Sequence, residues 1–511
     1  MKGDFTRLTF ERRKHFSQVL RQQGRVTVDA DDNEQTAILL HQLRTIARDL
    51  MGPYAAPEGG GFEVKVDDND LVVSPGRMYV DGILVENEEP YVVDPALLEN
   101  LDANADATNW LYLDVWERHV TYIEDDTIRE KALGGPDTST RAQVTWQVRS
   151  APMPQLFEER RQLLQQLDPD GSSDEIQAQL QALTKAETAI TNDLDTFRSG
   201  PNAKSPLCIA PGVLLDGLGS AHLGARLDPG AVAPDPCVIA PDAKYRGLEN
   251  QLYRVEIHRG GIASDAAPPT FKWSRDNGSV VSPWLGTEGD DLHVAHGRGF
   301  TAGCWVELVD DVRELSGVPG TLAKVTKVHG NRLTIDPASL PVDPVTWSAQ
   351  LVNPRVRRWD QSQRGDIVLD EGAVPVAESG PLGTAPAWLD LEDGLQIMFT
   401  PGGEYRTGDY WLIPARVATG TIEWPDGMAM PPHGVEHHYA PLGFVWKDGE
   451  DLVFGGCRCE FTPASPCGAA FETAGPPPAP IDLRAKPTVL RGPAPASARS
   501  VPKRRRKGGG R

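Results

Sequence analysis

Leu71-Val72-Val73-Ser74-Pro75-Gly76-Arg77-Met78-Tyr79-Val80-Asp81-Gly82-Ile83-Leu84-Val85 decides the fold class. Short β-branched and aromatic runs are cut by Ser-Pro-Gly and by Asp81-Gly82, a pair that favours the left-handed turn of a tight hairpin. The same grammar recurs along the chain. Trp110 to Tyr122 carries Leu111, Leu113 and Val115 on one face and Trp110, Tyr112 and Trp116 on the other, which calls for a strand covered on both sides. Gln143 to Arg149 sends Val144, Trp146 and Val148 one way. Asn277-Gly278 reads as a type I′ hairpin turn after Phe271-Lys272-Trp273-Ser274-Arg275-Asp276. Trp305–Val309, Ala323–Val328 and Arg332–Ile335, divided by Gly and Asp, read as a small barrel. With 50 Gly and 43 Pro in 511 residues, the chain is rich in turns.

Two helical segments interrupt this pattern. After Asp29-Ala30-Asp31-Asp32-Asn33, a helix capped at Asp32 or Asn33 presents Ala37, Leu40, Leu43, Ala47 and Leu50 as one apolar face and stops at Gly52-Pro53. The acidic string lacks the glycine and the bidentate glutamate of a calcium loop, so capping is the better reading. Farther on, Leu156, Leu163 and Leu167 mark a short helix and Pro169-Asp170-Gly171 a turn. Ile176, Leu180, Leu183, Ile190, Leu194 and Phe197 follow at heptad spacing, broken by Glu187, after the capping signal Ser172-Ser173-Asp174-Glu175. A self-packed antiparallel pair is favoured over a protruding self-association arm.

The expected fold is therefore mainly β and multi-domain, with short-stranded sandwich-like or barrel-like domains, an N-terminal helix and an inserted antiparallel helical hairpin. Its divisions are an arm and helix over 1–55, a β domain over 56–153, the hairpin insertion over 154–200, the β domain continued over 201–287, a small barrel over 288–352, a C-terminal β domain over 353–475 and a basic Pro-rich tail over 476–511. That tail is too polar and Pro-rich to bury a core, so disorder is expected there.

The opening block runs Lys2-Gly3-Asp4-Phe5-Thr6-Arg7, Arg13-Lys14-His15-Phe16 and Gln22-Gln23-Gly24-Arg25-Val26-Thr27-Val28. Together with Tyr245-Arg246-Gly247, Trp273-Ser274-Arg275-Asp276-Asn277-Gly278 and the string from Gly402 to Tyr439, it resembles a bacterial family of unknown biochemical activity. Members of that family occur beside phage-tail-like contractile injection systems, and some precede β-helical fibre segments. The segment around Leu71–Val85 also resembles a β element of tail-fibre and baseplate proteins. The resemblance covers most of residues 1–462; the helical hairpin and the basic tail fit it least. It implies a neighbourhood rather than a reaction. The role it implies is a non-enzymatic structural or accessory part of such a particle, near the baseplate, spike or fibre, with the particle's other proteins as partners. Alternatives are cargo carried by the particle, and a carbohydrate-binding or glycan-hydrolysing protein supported by the many Trp and Tyr residues. Phe5, Phe10, Phe16 and Arg25 are the candidate docking residues.

Catalytic and metal templates are lacking. The sequence has no Gly-x-Ser-x-Gly elbow, no phosphate-cradling Gly-x4-Gly-Lys-Ser/Thr and no His-Glu-x2-His, and its 72 acidic residues make any chosen carboxylate pair uninformative. No catalytic residue, metal ligand or cofactor is assigned. Asp409, His437 and His438 have metal-ligating chemistry, but adjacent strand residues face opposite ways. Cys208, Cys237, Cys304, Cys457, Cys459 and Cys467 read as core thiols, with burial or a local disulfide at the 457–467 cluster.

There is no apolar run long enough to span a bilayer and no signal-peptide pattern, so cytoplasmic synthesis is expected, with extracellular release as part of a particle. The net charge of −21 divides into +9 on residues 476–511 and −30 on the 475 residues before them. An acidic body opposes phosphate backbones, and no specific nucleic-acid partner is expected. The run Lys503, Arg504, Arg505, Arg506 and Lys507 is a salt-sensitive contact or an inert terminus. Removing residues 476–511 should leave the thermal midpoint unchanged and weaken co-sedimentation with acidic partners in low salt, the difference vanishing as salt rises. Identical behaviour of both forms at every salt concentration makes the tail inert.

Overall fold

In a computed structural model the structure describes residues 1–462, apart from 104–106, 136, 154, 169–170, 172, 200–220, 229–243, 264, 364–366, 379–387 and 426, and apart from the side chains of 102–103, 167, 175 and 193–199. The basic tail and the side chains of Leu167, Leu194 and Phe197 lie outside the described residues. What is described forms one unit, mainly β.

Asp81-Gly82 makes its hairpin. Val80 pairs with Ile83, and the two turn residues have φ of 48° and 80°. A Cβ on Gly82 would stand 2.2 Å from the carbonyl oxygen of Arg44, so the turn packs directly on the backbone of helix α1 (Asp29–Met51). The strands Gly76–Val80 and Ile83–Asn87 continue through Tyr54–Pro57 to Glu460–Phe461, which pairs in parallel with Tyr54–Pro57.

A long sheet, ordered Asp451–Gly456, His437–Asp448, Thr108–Val120, Arg141–Met153, is covered on both faces as its sequence requires. Leu111, Leu113, Val115 and Val148 enter one core with Val73, Met78 and Val85. Trp110, Met153, Phe444 and Trp446 enter another beneath the helical hairpin Gln155–Leu167 and Asp174–Ser199, which contributes Phe157, Leu164, Leu183, Ala186 and Ile190. The Ser173 hydroxyl accepts from the Ile176 N–H, capping the second helix. Glu187, the break in the heptads, pairs with Arg161 of the first helix at 2.5 Å. The seam of the hairpin thus packs within the chain.

The second half is built on a five-stranded sheet, Val374–Pro375, Thr270–Ser274, Gln251–Arg259, Tyr410–Arg416, Thr421–Ile422, packed on a smaller sheet that includes Leu223–Leu227 and Leu395–Phe399. Beside it stands a closed six-stranded barrel, from Val281–Glu288 round to Arg355–Trp359, filled by Leu292, Val306, Leu308, Val325, Leu333 and Val356.

Two local expectations need correction. Helix α1 begins at Asp29 rather than after Asp32 or Asn33, and it has no side-chain cap because Val28, which stands at the cap position, carries no acceptor; the Asp29 carboxylate accepts from Thr6 N–H and Oγ1. It buries Ala30 and Ile38 and turns Leu39, Leu40, Leu43, Ile46 and Leu50 outward. Beneath it lie the Asp81-Gly82 turn and Glu117, which pairs with Arg44 of the helix at 2.9 Å. Asn277-Gly278 has φ of 52° and 63°, and Ser279 N–H donates to the Asp276 carbonyl, as in a type I′ turn. The strands it joins nevertheless belong to different sheets, so it links the five-stranded sheet to the barrel rather than closing a hairpin. At the cysteines, Cys457 is disulfide-bonded, in line with one of the two readings of its cluster, and Cys304 and Cys459 are free, while Cys208, Cys237 and Cys467 lie outside the described residues.

A Cβ on Gly278 would meet nothing nearer than Arg357 Cδ at 3.5 Å, so substitution there is resisted by conformation rather than by collision. Gly278→Val should lower stability by roughly 1–3 kcal/mol. Urea unfolding checks this; an unshifted midpoint means the turn tolerates a β-branched residue.

Candidate functional site

Gln251–Arg259 alternates Tyr253, Val255 and Ile257 with Arg254, Glu256 and His258. The pleat sends each set to its own face. The first set packs with Phe271, Trp273, Trp411 and Ile413 in an apolar core. By pattern the charged face belongs in water. Instead the outer wall of the barrel covers it, and Arg254 and Glu256 are each only 2% exposed.

The burial is matched by ion pairs. Lys272, the register partner of Glu256 on the neighbouring strand, sets Nζ 3.3 Å from Glu256 and also bonds Glu307 on the barrel. Arg254 Nε donates to Glu256 at 2.5 Å while its guanidinium lies 3.7 Å from the centre of the Tyr410 ring. Trp359 Nε1 donates to the other Glu307 oxygen at 3.0 Å. Lys2 reaches in from the N-terminal segment, 3.2 Å from Glu256 and 3.1 Å from Glu314. Arg355 joins Asp311 at 2.6 Å, Glu124 at 3.3 Å and also Glu314, and Arg118 from the long sheet reaches Asp311 at 3.3 Å. One network therefore ties the N-terminus, the long sheet, the five-stranded sheet and the barrel.

Burial pushes the Glu256 carboxyl up, but Lys2, Arg254 and Lys272 outweigh it and hold the group well below the usual carboxylate range. Glu307 is likewise lowered, with Lys272 and Lys2 overcoming its burial. Between this network and the long sheet is a cavity of about 340 Å³, lined among others by Trp116, His119, Tyr410, Arg357, Val435 and His437. Burial, then the amino terminus and Arg357, push His119 down to about 3, so its imidazole is neutral.

The aromatic and histidine string adjoins this cavity. His437 Nδ1 bonds Asp114 at 2.7 Å and His438 Nδ1 bonds Asp81 at 2.9 Å, each on its own side of the strand. Burial pushes Asp409 up to about 7 against the pull of Arg406 and His437. Among the described residues, no three His, Cys, Asp or Glu side chains converge as metal ligands would.

The four candidate docking residues are not brought together. Phe5 packs by Leu252, Tyr410 and Leu412 and stands edge-on to His119. Phe10 lies 5.5 Å from the His41 ring, whereas Phe16 and Arg25 are exposed. Sequence reasoning missed Lys2, Glu256, Lys272 and Glu307. The signal for Glu256 is the alternation of Gln251–Arg259, and Lys272 and Glu307 stand likewise as lone charges between apolar neighbours in Phe271-Lys272-Trp273 and Val306-Glu307-Leu308, but alternation does not say what covers the polar face.

A profile described as a family of unknown function (DUF6519) matches residues 1–508. The chain belongs to that family. No curated protein sequence matches it. Among solved structures it is similar to TssK at 8% identity, over 78% of this chain and 99% of that one, with a TM-score of 0.15, a superposition too loose to bear on the fold. In this family member the ionic junction is thus characterised by its own geometry.

That geometry fixes the effect of removing its central cation. Lys272→Met leaves two buried carboxylates short of a partner and should cost roughly 3–5 kcal/mol. The lowered carboxyls add a pH signature. Their stabilisation is complete above the unfolded value of 4.5 and is lost as pH falls below it. Thermal unfolding from pH 7 to pH 3 should show a steep acid fall in the wild type and a shallower one in Lys272→Met. Equal midpoints at pH 7 would remove the junction's structural role.

Proposed function

We propose that this protein is a non-enzymatic structural or accessory component of a phage-tail-like contractile injection particle, attached through its first fifty residues. The setting comes from the resemblance of the opening block and its companion strings. The interface is supported by one observation. Of the 25 large apolar side chains exposed among the described residues, ten lie between Leu8 and Leu50. Leu39, Leu43, Ile46 and Leu50, 55–80% exposed, follow a four-three-four spacing along α1, the seam of a helix built to meet another surface. The ionic junction fits the same reading, since its carboxylates are all engaged by cations of the chain rather than held ready for a substrate. The glycan alternative loses its main support, because eight of the 12 Trp side chains are buried.

The double substitution Leu43→Lys with Ile46→Lys tests the interface. Both side chains are exposed, so stability should change by no more than about 0.5 kcal/mol. Co-sedimentation with sheath and tube proteins should be lost, and the wild type should be present at fixed stoichiometry in empty and filled particles alike. Full incorporation of the double variant refutes the interface; a wild type confined to filled particles makes the protein cargo.

A further inference from the structure

Arg357 is the cation that the junction's ion pairs leave over. Those pairs join Lys2, Arg118, Arg254, Lys272 and Arg355 to Glu124, Glu256, Glu307, Asp311 and Glu314, five against five. The side-chain network is neutral as it stands. Arg357, 5% exposed, is outside it, with no carboxylate of the described residues within 4.0 Å. Its register partner Glu307 is already held by Lys272 and Trp359. A guanidinium keeps its charge in a protein and carries five N–H donors. Here one nitrogen, Nη1, has a protein acceptor, the Gly278 carbonyl. A buried charge without a counter-charge is costly, so the surroundings of this guanidinium favour an anion.

A second observation points to the same place. His119 Nε2 is buried and has no hydrogen-bond partner among the described residues, and His119 and Arg357 line the same cavity. At about 340 Å³ that cavity is of small-molecule size, and Trp116 and Tyr410 give it aromatic wall.

We propose that the cavity binds a small oxyanion, a carboxylate or phosphate group, with Arg357 as its counter-charge and His119 Nε2 as a second donor. The guanidinium fork matches both groups, and the neutral imidazole donates once its proton is on Nε2. Arg357 belongs to the barrel strand Arg355–Trp359 and His119 to the long strand Thr108–Val120, so the anion joins two parts of the fold. It stabilises the folded chain by mass action, independently of any particle.

The test is thermal unfolding of the full chain in chloride, inorganic phosphate or succinate at equal ionic strength. Phosphate or succinate should raise the midpoint saturably, by about 2–4 °C over chloride. Arg357→Gln should abolish that increment. The larger of the two increments identifies phosphate or carboxylate as the preferred group. Equal midpoints in all three salts, or an increment that Arg357→Gln retains, overturns the proposal. Should that variant not fold, calorimetric titration of the wild type and of His119→Ala with the same anions decides. A saturable signal weakened at least fivefold in His119→Ala supports the site, and no saturable signal or an unchanged one refutes it.

Discussion

Burial of an ionic sheet face is the constraint on which this structure depends. The strand Gln251–Arg259 gives its apolar face to one core and its charged face to the barrel, and neither reaches water. Charges taken out of solvent tolerate little displacement, because a separated pair regains neither its partner nor its hydration. The contact between sheet and barrel is accordingly specified by geometry. Lys272 must meet Glu256 and Glu307 together, which fixes where the barrel stands on the sheet. An oily contact of the same area would be more forgiving of sliding.

The junction also explains the position of the N-terminal segment. Lys2 completes the coordination of Glu256, Phe5 sits by Leu252, Tyr410 and Leu412, and Thr6 holds the first residue of α1. The helix is therefore placed by polar contacts at its start, by a backbone-to-turn contact at Gly82 and by the burial of Ala30 and Ile38, while most of its aliphatic side chains take no part. Leu39, Leu40, Leu43, Ile46 and Leu50 stay on the outside, so with the segment before it the helix carries ten of the 25 large apolar side chains exposed among the described residues.

Much of this was legible in the sequence. The Asp81-Gly82 hairpin, the strand around Trp110 with two apolar faces, the small barrel and the helical pair all follow from period and turn chemistry, which act locally. The errors have one origin. Periodicity identifies the two faces of an element but not the direction of water. Leu40, Leu43 and Leu50 share one apolar face of α1, and that face turns outward, while Arg254, Glu256 and Lys272 carry every mark of a solvated face and are buried. Asn277-Gly278 shows the same limit, since its turn geometry is local but the destination of the strands on either side is not.

The pairing of Tyr54–Pro57 with Glu460–Phe461, which is parallel, and of Thr108–Val120 with His437–Asp448, which is antiparallel, has a consequence for how the chain comes into being. Its first strands wait on the ribosome for neighbours some three to four hundred residues away, a delay of roughly 15–80 s at ordinary elongation rates. Throughout that time the strand Thr108–Val120 has one open edge, with Arg141–Met153 as its only early companion. Such an edge recruits strands from other chains. The nascent protein is therefore a natural client for chaperones, and its yield will depend on synthesis rate and temperature well before its finished stability matters.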